Sequence, residues 1–141
     1  MRALGLDLGT RRIGVAISDS DGLLATPIDT VVRSKTRAGD HLAIAALVEE
    51  WGAEVAVVGL PLSLDGRVGP AAQGVLDEVP ELAEAIGVPV ETVDERFTTV
   101  TADRHLRATG VRGRARTKVV DRTSAAVLLQ AWLDQRRADR G

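Results

Sequence analysis

The 141-residue chain has no cysteine and no tyrosine, one phenylalanine, two tryptophans and one methionine. Without thiols there is no disulfide and no thiolate metal centre, so a metal would be held mainly by oxygen ligands or the two histidines, and hard divalent cations become the default. With so few aromatic rings, base stacking is poorly supplied, and nucleic-acid recognition would have to rest on backbone and shape. No apolar run approaches the ~18 residues of a membrane span, and the N-terminus lacks the basic, apolar and small-residue succession of a signal peptide. A cytoplasmic protein with no membrane partner is the expectation. Neither sign of charge dominates: 18 basic and 20 acidic residues leave a net charge of -2. That argues against a generally basic coat and confines any nucleic-acid contact to local clusters.

What is present reads as one globular domain spanning 1–141, with 45% apolar and 27% charged residues. Arg104, Arg107, Arg112, Arg114, Arg116 and Lys118 follow one another with no intervening acid. Apart from Lys35 and Lys118, all of the 18 basic residues are arginine. Arginine suits bidentate phosphate contact, although its excess equally suits a base-composition bias of the genome.

Hydrophobic patterning gives the order βββαβαβαα. Residues 2–8 and 12–18 alternate as a hairpin around Gly9, Thr10 and Arg11. A third strand, Leu23 to Val32, carries Pro27 and suits an edge. Asp40 fits as the N-cap of a helix whose Ile44, Leu47, Val48 and Trp51 form one stripe. Glu54 to Gly59 reads as a buried parallel strand, and Pro70 opens a helix to Ile86 that Gly74 and Pro80 weaken. A last strand, Val90 to Val93, runs into Asp94-Glu95-Arg96. Two helices follow, Thr99 to about Ala108 and Asp121 to about Arg137, the second with Ala125, Leu128, Leu129, Trp132 and Leu133 as its core face. The fold class is α/β: a mixed five-stranded sheet, three antiparallel strands and then parallel strands, flanked by helices.

Three acids stand at element ends: Asp7 on the first strand, Glu95 past the last strand, and Asp121 at the start of the last helix. If the first strand lies beside those of the α/β half, they converge, since neighbouring strands are only about 5 Å apart. A Mg2+ or Mn2+ ion would relieve their repulsion and support phosphodiester hydrolysis. Each acid also has an ordinary use: Asp7 in the Gly9-Thr10 turn, Asp121 as an N-cap, and Asp94 with Glu95 as a solvated pair. Only one of Asp94 and Glu95 can share a face with Asp7 in an extended strand, and periodicity does not choose between them. The opening GLDLGT also matches the first phosphate loop of sugar-kinase, heat-shock and actin-type ATPases. The chain is too short for their two lobes, and neither common nucleotide-binding glycine fingerprint is present.

Four segments in order, GLDLGTRRIGVAISD, VVGLPLSLDG, VDERFTT and KVVDRTSAAVLLQAWLD, resemble the signature segments of the YqgF or RuvX-type family of Holliday junction resolvases and pre-16S rRNA nucleases. The resemblance spans nearly the whole chain and implies an RNase H-like fold. It implies Asp7, Glu95 and Asp121 as the catalytic, metal-binding triad for Mg2+ or Mn2+, and so selects Glu95 over Asp94. Arg96, Thr98 and Thr99 fall in a family signature, with Arg96 read either as a phosphate contact or as a salt-bridge partner of Asp94. Arg11, Arg12, Arg112, Arg114, Arg116 and Lys118 are the further expected nucleic-acid contacts. Leu8 stands where many members have proline, and Thr123-Ser124 replace an apolar-Ala pair. Neither departure touches the triad. The implied partner is a structured nucleic acid, a four-way DNA junction or precursor 16S rRNA. Two symmetric cuts would favour a homodimer, and RNA processing allows a monomer.

Overall fold

The computed structural model describes residues 1–96 and 113–140, with side chains of the last helix described from Ser124 to Asp139. Five strands, β1 (Ala3–Leu8), β2 (Arg12–Ser18), β3 (Ala25–Val32), β4 (Val55–Leu60) and β5 (Val90–Asp94), form one sheet in the order β3-β2-β1-β4-β5. β1, β2 and β3 are antiparallel neighbours, while β4 runs parallel to both β1 and β5. The mixed sheet expected from the sequence is therefore present. Pro27 sits on the edge strand, next to an irregularity between Val15 and Ala16, where its missing N–H costs the sheet no central hydrogen bond.

Among the described residues, three helices cover the sheet: α1 (Arg37–Trp51) and α2 (Pro70–Ile86) on one face, α3 (Gly113–Arg140) on the other. The alternation of β1 divides the core between them. Leu4 and Leu6 point into the α1/α2 side with Ile13, Val15, Ile44, Val58 and Leu82. Ala3 points toward α3, where Ala16, Val57, Ala125, Leu128, Leu129 and Trp132 complete a second cluster.

The structure corrects two local expectations, at Asp40 and at Asp121. Asp40 is not the N-cap of α1. Thr36 is, its hydroxyl accepting from Gly39 N at 3.0 Å, while the buried Asp40 carboxylate turns back to accept from Ser34 N at 2.6 Å. α2 runs from Pro70 to Ile86 as expected and stays continuous through Gly74 and the exposed Pro80. α3 begins at Gly113 rather than near Asp121, so Asp121 lies inside the helix and not at its start. The helix expected over 99–108 lies outside the described residues.

A buried charge network ties the β3–α1 connection to α2. Arg33 donates to both Glu78 carboxylate oxygens, at 2.7 and 3.0 Å, and to Asp40 at 3.3 Å, and His41 Nε2 lies 2.8 Å from Glu78 Oε2. Arg33 Nε also donates to Gly9 O at 3.0 Å, which anchors the β1–β2 turn.

Candidate active site

The β1–β2 turn is closed by main chain, since Gly9 N donates to the Asp7 carbonyl at 3.0 Å. On alternation, Asp7 falls on the α3 face of β1, with Ala3 and Gly5. Gly5 is where α3 comes closest. A Cβ there would stand 2.7 Å from Leu129 Cβ and 2.9 Å from the Ala125 carbonyl, so only glycine lets the helix rest on the strand.

The helix runs back along the sheet. Its Leu133 lies near Gly22 and Gln130 bonds the main chain of Ala25 and Leu23, at the end of the sheet away from Asp7. Asp121 stands one turn before Ala125, about 6 Å along the axis, and Asp7 stands two residues past Gly5, a similar distance along the strand. The register thus carries the α3 backbone at Asp121 toward Asp7. The Asp121 side chain lies outside the described residues.

Glu95 follows β5, its N–H held by the Leu60 carbonyl at 3.2 Å. Its carboxylate lies over β4 at Gly59, where a Cβ would meet Glu95 Oε2 at 2.3 Å and Leu128 Cδ2 at 3.0 Å. Burial, the nearby Asp7 carboxylate and then Asp94 push the Glu95 carboxyl up to about 7. The adjacent acid behaves in the opposite way. Asp94 takes Arg96 Nε at 2.8 and 3.0 Å and NH2 at 2.5 Å, which holds its carboxyl below the usual range. Arg96 NH1 then reaches the Leu64 carbonyl at 3.3 Å, linking the site to the β4–α2 loop.

Of the expected site residues, the structure brings Asp7 and Glu95 together and pairs Arg96 with Asp94. Among the described residues, no set of three acidic or histidine side chains gathers to hold a metal. Arg11 is exposed at the hairpin turn and Arg12 half-buried beside it. Arg114, Arg116 and Lys118 lie on the first turns of α3 with side chains outside the described residues, and Arg112 lies outside them altogether. Sequence reasoning missed Gly5 and Gly59. The available signal was a side-chain-free position within each of two otherwise apolar strands that also carry or adjoin an acid.

Three antiparallel strands followed by two parallel ones, in the order 3-2-1-4-5 with helices on both faces, define an RNase H-like fold. Solved structures agree. Thermus thermophilus RuvC in complex with a Holliday junction substrate matches with a TM-score of 0.58 at 17% identity, covering 97% of this chain and 96% of that one. The large terminase nuclease of a thermophilic phage matches at 0.54 and 13% identity, covering 89% and 80%. At such identities the likeness concerns the fold alone.

Sequence comparison is more specific. The family model described as "RuvX: Holliday junction resolvase" matches residues 1–135. A protein of Mycobacterium ulcerans named "Putative pre-16S rRNA nuclease" is 51% identical over 138 residues, covering 96% of this chain and 80% of the relative. One of the same name from Mycolicibacterium paratuberculosis is 52% identical over 139 residues, covering 97% and 82%. The chain belongs to the RuvX family, and it is a nuclease.

Proposed function

We propose that this nuclease hydrolyses phosphodiester bonds in structured nucleic acid, with Asp7, Glu95 and Asp121 holding a divalent cation, Mg2+ or Mn2+. The observation that carries the reading is the Asp7–Glu95 pair, in which burial and then the Asp7 carboxylate raise Glu95 toward neutrality where Gly59 leaves room for its carboxylate. Two carboxylates crowded at a half-buried point, with oxygen donors only, fit a hard cation.

When bound, the cation supplies the positive charge that favours hydroxide as nucleophile and stabilises the departing oxygen. The chain's own residues set the geometry. Asp7 is fixed by the hydrogen-bonded β1, Glu95 by its N–H on β4, and Asp121 by a helix seated on Gly5. Arg11, Arg12, Arg112, Arg114, Arg116 and Lys118 contact the phosphate backbone, so binding weakens as salt rises. Arg96 acts at the same site, its guanidinium steadied by Asp94.

The relatives' names point to precursor 16S rRNA and the family description to Holliday junctions. Both are taken as substrates to test. Wild type and Asp7→Asn are compared on a labelled four-way DNA junction and on a pre-16S rRNA leader, with Mg2+, Mn2+ or EDTA. The expected result is cleavage of at least one substrate by wild type with metal, abolished by EDTA and by Asp7→Asn. Binding of both substrates with cleavage of neither would replace the enzyme reading with a non-catalytic nucleic-acid-binding one.

A further inference from the structure

Leu64 is 94% exposed, the most exposed large apolar side chain among the described residues. Exposure alone means little. Val32, Leu42 and Leu24 are 73%, 69% and 61% exposed, and isolated apolar side chains are normal on protein surfaces. Leu64 differs in how it is held and in what it is held to.

The turn that presents it is closed three times over. Ser63 N donates to the Arg67 carbonyl at 3.0 Å, Gly66 N to the Ser63 carbonyl at 2.8 Å, and Arg67 N to Asp65 Oδ1 at 3.0 Å. Leu64 therefore projects from a hydrogen-bonded turn and not from a loose loop. The Leu64 carbonyl also accepts from Arg96 NH1, while the same guanidinium grips Asp94. Arg96 immediately follows Glu95, so the tip is braced against the segment that supplies a proposed metal ligand. Among the described residues, none of Val32, Leu42 and Leu24 has such a link. Val68, 49% exposed, and Arg67, 86% exposed at its side chain, flank the tip with apolar and basic surface.

We propose that Leu64 is an apolar wedge that enters the base stack of the nucleic-acid substrate beside the scissile phosphodiester and holds a base unstacked. Short apolar side chains on rigid elements are what proteins insert between base steps, and the energy of unstacking falls when a base is already unpaired. The wedge thereby sets specificity, favouring junctions, bulges and single-strand boundaries over continuous duplex. This rests on the nuclease reading above and names the feature of the substrate that the site selects.

The test uses the full chain, with wild type, Leu64→Ala and Leu64→Phe. Probes are a four-way DNA junction and a stem-loop RNA, each with 2-aminopurine next to the cleavage point, and versions in which the neighbouring bases are unpaired in advance. Binding is read by fluorescence with EDTA and cleavage with Mg2+ or Mn2+. Wild type and Leu64→Phe are expected to raise the fluorescence. Leu64→Ala should lose that rise and about tenfold or more in cleavage of the paired substrate, with a smaller loss on the pre-opened one. Because the side chain is exposed, the melting temperature stays that of wild type. Equal fluorescence and equal cleavage for Leu64→Ala and wild type overturn the wedge while leaving the nuclease reading intact. A Leu64-dependent fluorescence rise without cleavage by any variant sinks the nuclease reading and supports the wedge.

Discussion

Glu95 stands across β4 from Asp7, and burial first, with the Asp7 carboxylate second, raises its carboxyl to about 7. Two acids far apart in sequence are thus coupled through space across a strand that contributes no side chain where they meet.

This coupling has a defined pH signature. Glu95 is raised from 4.5 to about 7, so its protonated form is favoured in the folded, metal-free protein. Its contribution to stability is complete below 4.5 and is lost as pH rises to about 7. In EDTA, unfolding free energy from urea denaturation should therefore fall between these values by more in wild type than in Glu95→Gln, a difference of about 1–2 kcal/mol after allowance for solvent screening. Added Mg2+ should restore stability to wild type above pH 7 and do so weakly in the variant. Parallel curves for the two proteins would remove the raised ionisation point of Glu95.

Gly59→Ala should separate chemistry from folding. The new methyl meets the mobile end of Glu95 and the Leu128 side chain, both of which can yield, so the fold survives while the carboxylate moves. Cleavage should fall by about a hundredfold, the scale of a 1 Å misplacement, with far-UV circular dichroism unchanged. Full activity in this variant would show that Glu95 need not lie over β4.

At Gly5 the outcome differs, because the atoms in the way are the Leu129 Cβ and a main-chain carbonyl of α3. Gly5→Ala should lift the helix and destabilise the protein by about 1–3 kcal/mol, measured by urea denaturation. It should also weaken metal binding, since the helix carries Asp121.

The Arg33 network predicts a purely structural defect. Burial pushes the Glu78 carboxyl up, but hydrogen bonds from Arg33 and His41 outweigh it and hold it below its usual value. Glu78 therefore contributes stability above its ordinary range, which is lost as pH falls. Arg33→Ala leaves Glu78 and Asp40 buried without their shared partner and should cost about 3–5 kcal/mol. A change below 1 kcal/mol in urea denaturation would refute the network's role.

How much of this was legible beforehand can be seen residue by residue. Alternation in ALGLDL and RIGVAIS placed the hairpin, and the apolar run VAVVG placed a central parallel strand, because burial on one or both faces writes itself into the local period. Asp40 and Thr36 are both good N-caps, and local sequence could not reveal that Arg33 and Ser34 would claim Asp40. Asp121 was misplaced at a helix start because the apolar periodicity fades before the helix ends. The choice of Glu95 over Asp94 came from resemblance: the Arg96–Asp94 pair is local and was open in the sequence, but the seat of Glu95 over Gly59 joins segments distant in the chain. Leu64 looked like any loop residue, because exposure is a property of the folded surface.

The strand order also explains the lengths of the two acidic side chains. Asp7 stands on β1 and Glu95 follows β5, with β4 between them in a span of about 10 Å, so the Glu95 carboxylate must come in over β4 to approach Asp7. The extra methylene of glutamate is the arm that brings the carboxylate over β4, and the bare backbone of Gly59 is where it comes to rest. Glu95→Asp would keep the charge and lose the reach.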